Sequence, residues 1–206
     1  MKITLEQISK RFQRNRIFKE VSYTFQSPGA YALLGANGSG KSTLLRIIAG
    51  MQSASSGKVV YEGDSGNAIT ASDFFRHVSF CAPGMELVEE FTLQEFLDFH
   101  FSFKQPQESL TTIQMIRLMG LEAAANKPIY DYSSGMKQRV KLAQAIFANT
   151  PVLMLDEPCT NLDEKGVQQY KDWMDMYASG RLVFIASNDP REYYMCQEKL
   201  IVEDFA

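Results

Sequence analysis

The segment from Gly35 to Ser42 reads GANGSGKS and fits the pattern G-x-x-x-x-G-K-[ST] of a phosphate-binding loop. Its glycines allow the backbone to curl so that successive N–H groups face an anion. The Lys41 ammonium can reach the β- and γ-phosphates of a nucleotide, and the Ser42 hydroxyl can ligate Mg²⁺. The motif requires a strand before the loop and a helix after it.

Both flanks meet that requirement. Residues 31–34 form a short apolar run typical of a buried strand, and residues 41–50 carry apolar side chains at helical spacing. The dipole of such a helix adds to the attraction for phosphate. A glycine-rich turn without a ligand is the alternative, and the strand–loop–helix context disfavours it.

A second apolar run, 152–155, ends in Asp156 and Glu157. A buried strand would carry this pair to the carboxyl edge of the sheet, where phosphate-loop proteins bind their ligands. There Asp156 can hold Mg²⁺ through water, and Glu157 can orient and polarise the attacking water. An acidic pair that caps the next helix is the alternative, but Pro158 and the upstream phosphate loop favour the catalytic interpretation.

The other elements alternate between strands and helices. Residues 3–9 and 17–25 predict two antiparallel strands, and 57–62 predicts a third member of that small sheet. Further strands are predicted at 78–81, 182–186 and 200–202, and helices at 136–148 and 164–177. Apolar strands that alternate with helices favour a parallel sheet covered on both faces.

Residues 85–134 are helical and aromatic in pattern, with Thr92 and Glu95 spaced as a capping box. We favour a compact helical core over an aromatic box for a cofactor. Excess aromatic surface that docks a partner is a further possibility.

Composition restricts the classes of partner. The net charge is −3, so no global basic field indicates a nucleic-acid partner. A local basic cluster is more consistent with a solvated turn than with a phosphate or lipid contact; its members are Lys10, Arg11, Arg14, Arg16 and Lys19. Three cysteines without metal-ligand spacing fit a reducing compartment, and no apolar segment reaches the ~18 to 20 residues that span a bilayer.

Two further segments have an informative position relative to the phosphate loop and the acidic pair. Residues 132–139, YSSGMKQR, stand between the phosphate loop and the acidic pair, and 160–163, TNLD, follow that pair. In this order they resemble the signature motif and the subsequent loop of the ATP-binding cassette (ABC) proteins, over nearly the whole chain. The implied fold is α/β, a P-loop NTPase of the ABC ATPase type. It has a parallel core sheet and a small N-terminal antiparallel β-subdomain in a core of 1–84 and 135–206, with an inserted helical subdomain at about 85–134.

The resemblance also implies an ATP and Mg²⁺ site shared by two subunits. In the family, the signature motif faces the γ-phosphate of a nucleotide bound to the other cassette, so two cassettes enclose two ATP molecules. Ser133 and Gly135 would fill this role here. Phe12 stands where the family places an aromatic ring that stacks on adenine, although packing is an alternative role for it. The phosphate contacts implied by the family loop are Gly35, Asn37, Gly38, Ser39, Gly40, Lys41, Ser42 and Thr43.

Two positions depart from the family pattern. The glutamine that touches Mg²⁺ in the family falls at Pro83, which has no side-chain ligand. The switch histidine falls at Asn188, which can donate a hydrogen bond to a γ-phosphate oxygen but cannot carry a proton near neutral pH. Losing a charge-assisted contact costs about 1.5 to 3 kcal/mol, or one to two orders of magnitude in rate. We therefore expect a slow ATPase that uses Glu157, Lys41 and Asn188, with Ser42 and Asp156 as the metal ligands.

The expected function is the ATP-hydrolysing subunit of an ABC transporter. Its expected partners are a second cassette, identical or different, and separate membrane-spanning permease subunits, which place it in the cytoplasm on the inner face of the cell membrane. The groove for the membrane partner would lie around Pro83 and the aromatic helices. The alternatives are an ATP-gated clamp with little hydrolysis and, less favoured, a soluble cassette acting on ribosomes or DNA. The substrate and the direction of transport stay open.

Overall fold

Two β-sheets of different kinds organise the chain, which the computed structural model describes at residues 1–13, 15–107 and 110–206. The smaller sheet is antiparallel, with strand order β2-β1-β4-β5. Its strands are β1 (Lys2–Phe12), β2 (Asn15–Gln26), β4 (Ser56–Glu62) and β5 (Ala68–Ile69). This confirms the small N-terminal sheet. Arg14 of the predicted basic cluster lies outside the described residues.

The larger sheet is parallel throughout, with strand order β6-β7-β8-β3-β9. Its strands are β3 (Gly29–Leu34), β6 (Val78–Cys81), β7 (Val152–Asp156), β8 (Leu182–Ala186) and β9 (Glu198–Ile201). Every residue of β7 and β8 is buried. Uninterrupted burial is typical of central parallel strands, and it explains why their sequences are continuous apolar runs.

Five helices cover the parallel sheet: α1 (Lys41–Ile48), α2 (Leu93–Phe103), α3 (Thr112–Met119), α4 (Ser134–Ile146) and α5 (Glu164–Tyr177). Alternate residues of β7 enter different cores. Leu153 and Leu155 pack with α2 to α5, whereas Val152 and Met154 pack with α1 and the antiparallel sheet. The sheet is therefore buried on both faces, as expected for an α/β fold.

The helical segment between β6 and α4 contains α2 and α3. The predicted capping box of Thr92 and Glu95 is confirmed, and Thr111 with Gln114 forms a second one that the sequence analysis missed. The inner face of α2 is buried, but Phe99 and Phe103 are 48% and 76% exposed. A compact core thus accounts for only part of the aromatic pattern. The division at residues 85 and 134 stays a prediction.

The ends of β6, α5 and β8 match the sequence prediction, whereas the ends of other elements differ from it by up to three residues, as at Phe12 of β1. Helix α4 begins at Ser134 instead of residue 136, because the Ser133 hydroxyl accepts a hydrogen bond from the Met136 N–H and caps the helix there. The last strand ends at Ile201, and Val202 begins a 3₁₀ turn. Within the described ranges, no helix is long and apolar enough to cross a membrane.

Candidate nucleotide-binding site

The loop between β3 and α1 has the geometry of an anion cradle. Gly38 and Gly40 have φ values of 85° and 104°, which are accessible to glycine without strain. Gly40 is the N-cap of α1 and provides no capping side chain, so the first N–H groups of the helix have no side-chain acceptor there. Such N–H groups, together with the helix dipole, attract an anion.

Lys41 is 5% exposed, and its ammonium lies inside the loop. It donates hydrogen bonds to the carbonyl oxygens of Gly35, at 2.7 Å, and Ala36, at 3.1 Å. An ammonium has three N–H donors, and these two bonds occupy two of them. The loop thus holds a cation at its centre with a donor left for a ligand.

A further feature indicates that a phosphate group suits this loop. A cavity of about 200 Å³ opens over it; the cavity is lined by Asn37, Gly38, Gly40, Lys41, Ser42, Thr43 and Glu157. The Lys41 ammonium and the backbone N–H groups of the loop can therefore meet an oxyanion there. The Ser39 hydroxyl is buried outside this lining, beside Gly35, and has no hydrogen-bond partner among the described residues.

The acidic pair meets the phosphate loop directly. The Ser42 hydroxyl donates a 2.9 Å hydrogen bond to Asp156 Oδ1. Burial raises the pKa of Asp156; the bond from Ser42 acts against that rise, and the neighbouring charge of Glu157 adds to it. A hydroxyl and a carboxylate at this distance are the oxygen ligands that Mg²⁺ prefers, so the residues present fit the ion.

Glu157 adopts a left-handed backbone conformation, with φ of 44°. Its N–H donates to the carbonyl of Ala186, the last residue of β8, at 2.9 Å. This bond fixes the turn after β7, and Glu157 is one of the residues that line the cavity over the phosphate loop. The left-handed turn therefore places an exposed glutamate at that cavity.

Asn188 reaches the same loop from the end of β8. Its Oδ1 accepts a 3.4 Å hydrogen bond from the Gly35 N–H, and its Nδ2 donates to Asn37 Oδ1 at 3.3 Å. The amide thus spans the first turn of the loop, at the position where the sequence analysis expects the switch histidine of the family. Pro83, the other departure, is exposed, and its carbonyl accepts a 3.0 Å hydrogen bond from Lys141 of α4.

Phe12 lies at the end of β1 and is 48% exposed. The Lys10 ammonium sits 4.9 Å from the centre of its ring and also donates to the Ser53 carbonyl. Lys10 covers one face of the ring and supports its position. The side chains of Ile17 and Phe18, at the start of β2, contact the site of Gly40, which brings the antiparallel sheet against the phosphate loop.

Ser133 and Gly135 are not brought to this loop. Ser133 caps α4, and a side chain at Gly135 would crowd the carbonyl of Asn161 at 3.1 Å. Gln138 of the same helix donates a 2.7 Å hydrogen bond to the Pro158 carbonyl, just after the acidic pair. Among the described residues, no hydrogen bond joins Ser133 or Gly135 to the phosphate loop.

Two carboxylates near the site were missed by the sequence analysis. Glu192 is 4% exposed and accepts a 2.7 Å hydrogen bond from the Cys159 N–H, so it fastens the segment after Glu157. Burial raises its pKa. Glu203 accepts a hydrogen bond from the Ala36 N–H. No motif marks either residue, because each acts through a backbone group distant in sequence.

The strand–loop–helix cradle, with Ser42 and Asp156 in contact, defines a P-loop nucleotide-binding fold. The model of the family described as ABC transporter matches residues 18–160. The chain therefore belongs to the ABC transporter family, whose ATPase cassettes bind ATP and ADP.

Individual relatives agree with that assignment. The chain is 30% identical to the probable sulfate/thiosulfate import ATP-binding protein CysA of Chlorella vulgaris, over 99% of this chain and 88% of the relative. It is 31% identical to the uncharacterized ABC transporter ATP-binding protein YybJ of Bacillus subtilis, over 78% and 72%. It is 33% identical to CysA of Bordetella pertussis, where the match covers 84% of this chain but only 51% of that longer protein.

Solved structures share the fold. A putative ABC transporter ATP-binding protein from Pyrococcus furiosus superposes with a TM-score of 0.82 at 18% identity, covering all of both chains. A dimeric ATP-binding cassette in a post-hydrolysis state, bound to ADP and Pi, superposes with a TM-score of 0.81 at 20% identity, over 97% of this chain and 93% of that one. The α/β fold of the ABC ATPase type is thereby confirmed.

Asp156→Asn should stabilise the ligand-free protein at neutral pH. The amide keeps an acceptor for Ser42 and removes a buried negative charge. A gain of roughly 1 kcal/mol corresponds to a Tm increase of about 2 to 4 °C in a domain of this size. Because burial raises the pKa of Asp156, the cost of the charge is present above that pKa and disappears as the pH falls through it.

Differential scanning calorimetry between pH 4 and 8 measures the difference. The two proteins should converge as the pH approaches 3.8, the ordinary pKa of an aspartate. Asp204→Asn removes an exposed carboxylate and serves as the control. A lower Tm for Asp156→Asn than for the parent at pH 7 would show that the Asp156 carboxylate does not destabilise the ligand-free protein.

Proposed function

We propose that this chain is the ATP-hydrolysing subunit of an ABC transporter and powers substrate movement through separate membrane-spanning subunits. The observation that carries the proposal is the contact of Ser42 with Asp156, beside Glu157, in a chain of the ABC transporter family. It supplies a phosphate cradle, metal ligands and a base at one place. The transported substrate is left unassigned; the names of the CysA relatives specify sulfate or thiosulfate for those proteins alone.

In the proposed mechanism, the backbone N–H groups of residues 37–43 and the Lys41 ammonium bind the phosphates. Ser42 and Asp156 would hold Mg²⁺, which supplies charge neutralisation of the phosphates when bound. Glu157 accepts a hydrogen bond from the attacking water and orients it. Phe12 stacks on the adenine through the ring face that Lys10 leaves open.

A second copy of the cassette, or a different cassette, would complete the site. Ser133 caps α4, and its hydroxyl and the N–H groups around Gly135 lie at a helix N-terminus, the geometry of a second anion site. Because they make no hydrogen bond to their own phosphate loop within the described residues, we assign them to the γ-phosphate of the partner's nucleotide. The dimeric cassette bound to ADP and Pi is a solved neighbour that supports this arrangement.

Glu157→Gln tests the enzyme. The amide keeps the shape of the side chain but cannot act as a base, so the variant should bind ATP and dimerise without releasing phosphate. Phosphate release and light scattering, both in Mg²⁺ and ATP, measure the two properties. Glu164→Gln makes the same chemical change at the exposed start of α5 and should hydrolyse ATP like the parent. Equal phosphate release by the parent and by Glu157→Gln would refute the ATPase.

The slow rate is tested at Asn188. Asn188→His restores a side chain that can carry a positive charge, and we expect phosphate release to rise about 10- to 100-fold. Asn188→Ala removes the hydrogen bonds to Gly35 and Asn37 and should be slower than the parent. Steady-state kinetics should place the histidine effect in kcat, with KM nearly unchanged. A histidine variant no faster than the parent would show that this substitution does not limit hydrolysis.

We propose that the membrane partner docks at an apolar groove of about 240 Å³, whose lining does not include Pro83. It is lined by Met51 and Phe75, which are 61% and 60% exposed, and by Met85 and His100. Lys104 closes the groove by donating to the carbonyls of Phe75 and Val78. Exposed apolar side chains around a groove are typical of a docking surface. A helix of the membrane-spanning subunit is the proposed occupant.

Phe75→Ser should reduce the fraction of the protein that sediments with native membranes, because it removes an exposed apolar contact from the groove. Met176→Ser changes a 54% exposed apolar residue on α5 and should leave that fraction unchanged. Tagged variants expressed in the native cells, with quantification of the membrane pellet, provide the measurement. Equal sedimentation of both variants and the parent would place the partner elsewhere.

A clamp that uses ATP binding with little hydrolysis is the second candidate function, because Pro83 and Asn188 replace two groups that the family uses near the γ-phosphate. Partner cycling is repeated binding to the membrane partner and release from it. If this cycling persists with Glu157→Gln, the clamp is favoured. Cycling that stops would favour the transporter subunit.

A further inference from the structure

The first peptide group of the phosphate loop, Gly35–Ala36, is hydrogen-bonded to two side chains of opposite charge. Its carbonyl, on Gly35, accepts a 2.7 Å hydrogen bond from the Lys41 ammonium. Its N–H, on Ala36, donates a hydrogen bond to Glu203 Oε1. The peptide therefore lies between a buried cation and a carboxylate that comes from a distant part of the chain.

Packing delivers Glu203 to this position. Strand β9 pairs with β3, so the residues after β9 lie beside the loop that follows β3. The 3₁₀ turn Val202–Phe205 then begins with a fully buried Val202, which anchors the turn in the core. The Glu203 side chain therefore reaches the phosphate loop, although the residue is exposed to solvent.

The contact is close enough to restrict the sequence of the loop. Gly35 has φ of 146°, and a Cβ placed there would collide with Glu203 Oε2 and would lie 2.6 Å from the Ser39 hydroxyl. Glu203 therefore occupies the space beside Gly35 that a side chain would otherwise fill. A carboxylate, the Ser39 hydroxyl and the Gly35–Ala36 peptide share one small volume.

We propose that Glu203 is a positioning residue of the phosphate loop whose negative charge weakens nucleotide binding. It orders the Gly35–Ala36 peptide before a nucleotide arrives, and it then opposes the phosphates bound a few residues away. Like charges within a Debye length repel, so its presence favours release of the nucleotide. The inference rests on the proposed nucleotide site.

The charge and the hydrogen bond are separated by two substitutions. Glu203→Gln keeps an acceptor for the Ala36 N–H and removes the charge, whereas Glu203→Ala removes both. Asp204→Asn removes one negative charge from the next residue, which has no hydrogen bond to the loop among the described residues. It is the matched control for net charge.

Two measurements test the two parts of the proposal. In isothermal titration with Mg²⁺ and ADP, Glu203→Gln should bind about threefold or more tightly than the parent at low salt, and the gain should shrink in 0.5 M NaCl. In NMR hydrogen exchange of the nucleotide-free protein, the Ala36 amide should exchange faster in Glu203→Ala but stay protected in Glu203→Gln. Asp204→Asn should tighten ADP binding less than Glu203→Gln does, because Asp204 makes no hydrogen bond to the loop among the described residues, and it should leave the exchange rate of the Ala36 amide unchanged.

A different result would contradict each of the two proposed roles of Glu203. An ADP affinity of Glu203→Gln equal to that of Asp204→Asn would overturn the electrostatic role. An unchanged Ala36 exchange rate in Glu203→Ala would overturn the positioning role. If the parent itself failed to bind ADP, the proposed nucleotide site would fail, and the exchange experiment would still decide whether Glu203 orders the loop.

Discussion

Parallel pairing of β3, β7 and β8 is the constraint from which the site follows. Their carboxyl ends lie at one edge of the sheet, and cross-strand hydrogen bonds continue just beyond it: Glu157 N–H bonds the Ala186 carbonyl, and Ser187 N–H bonds the Leu33 carbonyl. Loops that begin at this edge therefore start close to one another. The cradle, the acidic pair and Asn188 therefore converge because the strands that carry them are neighbours.

The charged side chains of the site are held in place by hydrogen bonds to the chain itself. Lys41 is buried against two loop carbonyls, and Asp156 is buried against the Ser42 hydroxyl. Buried charges are costly unless they are hydrogen-bonded, so these contacts stabilise a loop prepared for an anion and a cation. In the proposal, Glu203 adds an opposing charge that prevents the cradle from holding a nucleotide too tightly.

Helix α4, which begins within the signature motif, is hydrogen-bonded both to the segment after the acidic pair and to the segment around Pro83. Gln138 of α4 bonds the Pro158 carbonyl after the acidic pair, and Lys141 of α4 bonds the Pro83 carbonyl near the groove. In the proposed function, a partner that moves the Pro83 segment would act on α4 directly. Pro83 has no side-chain ligand to offer, and this contact uses its backbone carbonyl.

The sequence alone determined the elements whose signals are local. Glycine and lysine spacing marked the loop, continuous apolar runs marked the buried strands, and the spacing of Thr92 and Glu95 marked a helix start. These signals work because backbone conformation and burial restrict residue type within a few positions. The order of the motifs also indicated the family, which the comparisons confirmed.

Only the tertiary structure decided which distant groups meet. The bond of Asn188 to Gly35 and the contact of Glu203 with Ala36 join residues that are far apart along the chain. Such contacts depend on strand order and register, and a carboxylate that bonds a backbone N–H leaves no pattern in the residues around it. The sequence thus determined what the loop can bind, and the fold decided which side chains surround it, because proximity in a sheet is set by pairing and not by separation along the chain.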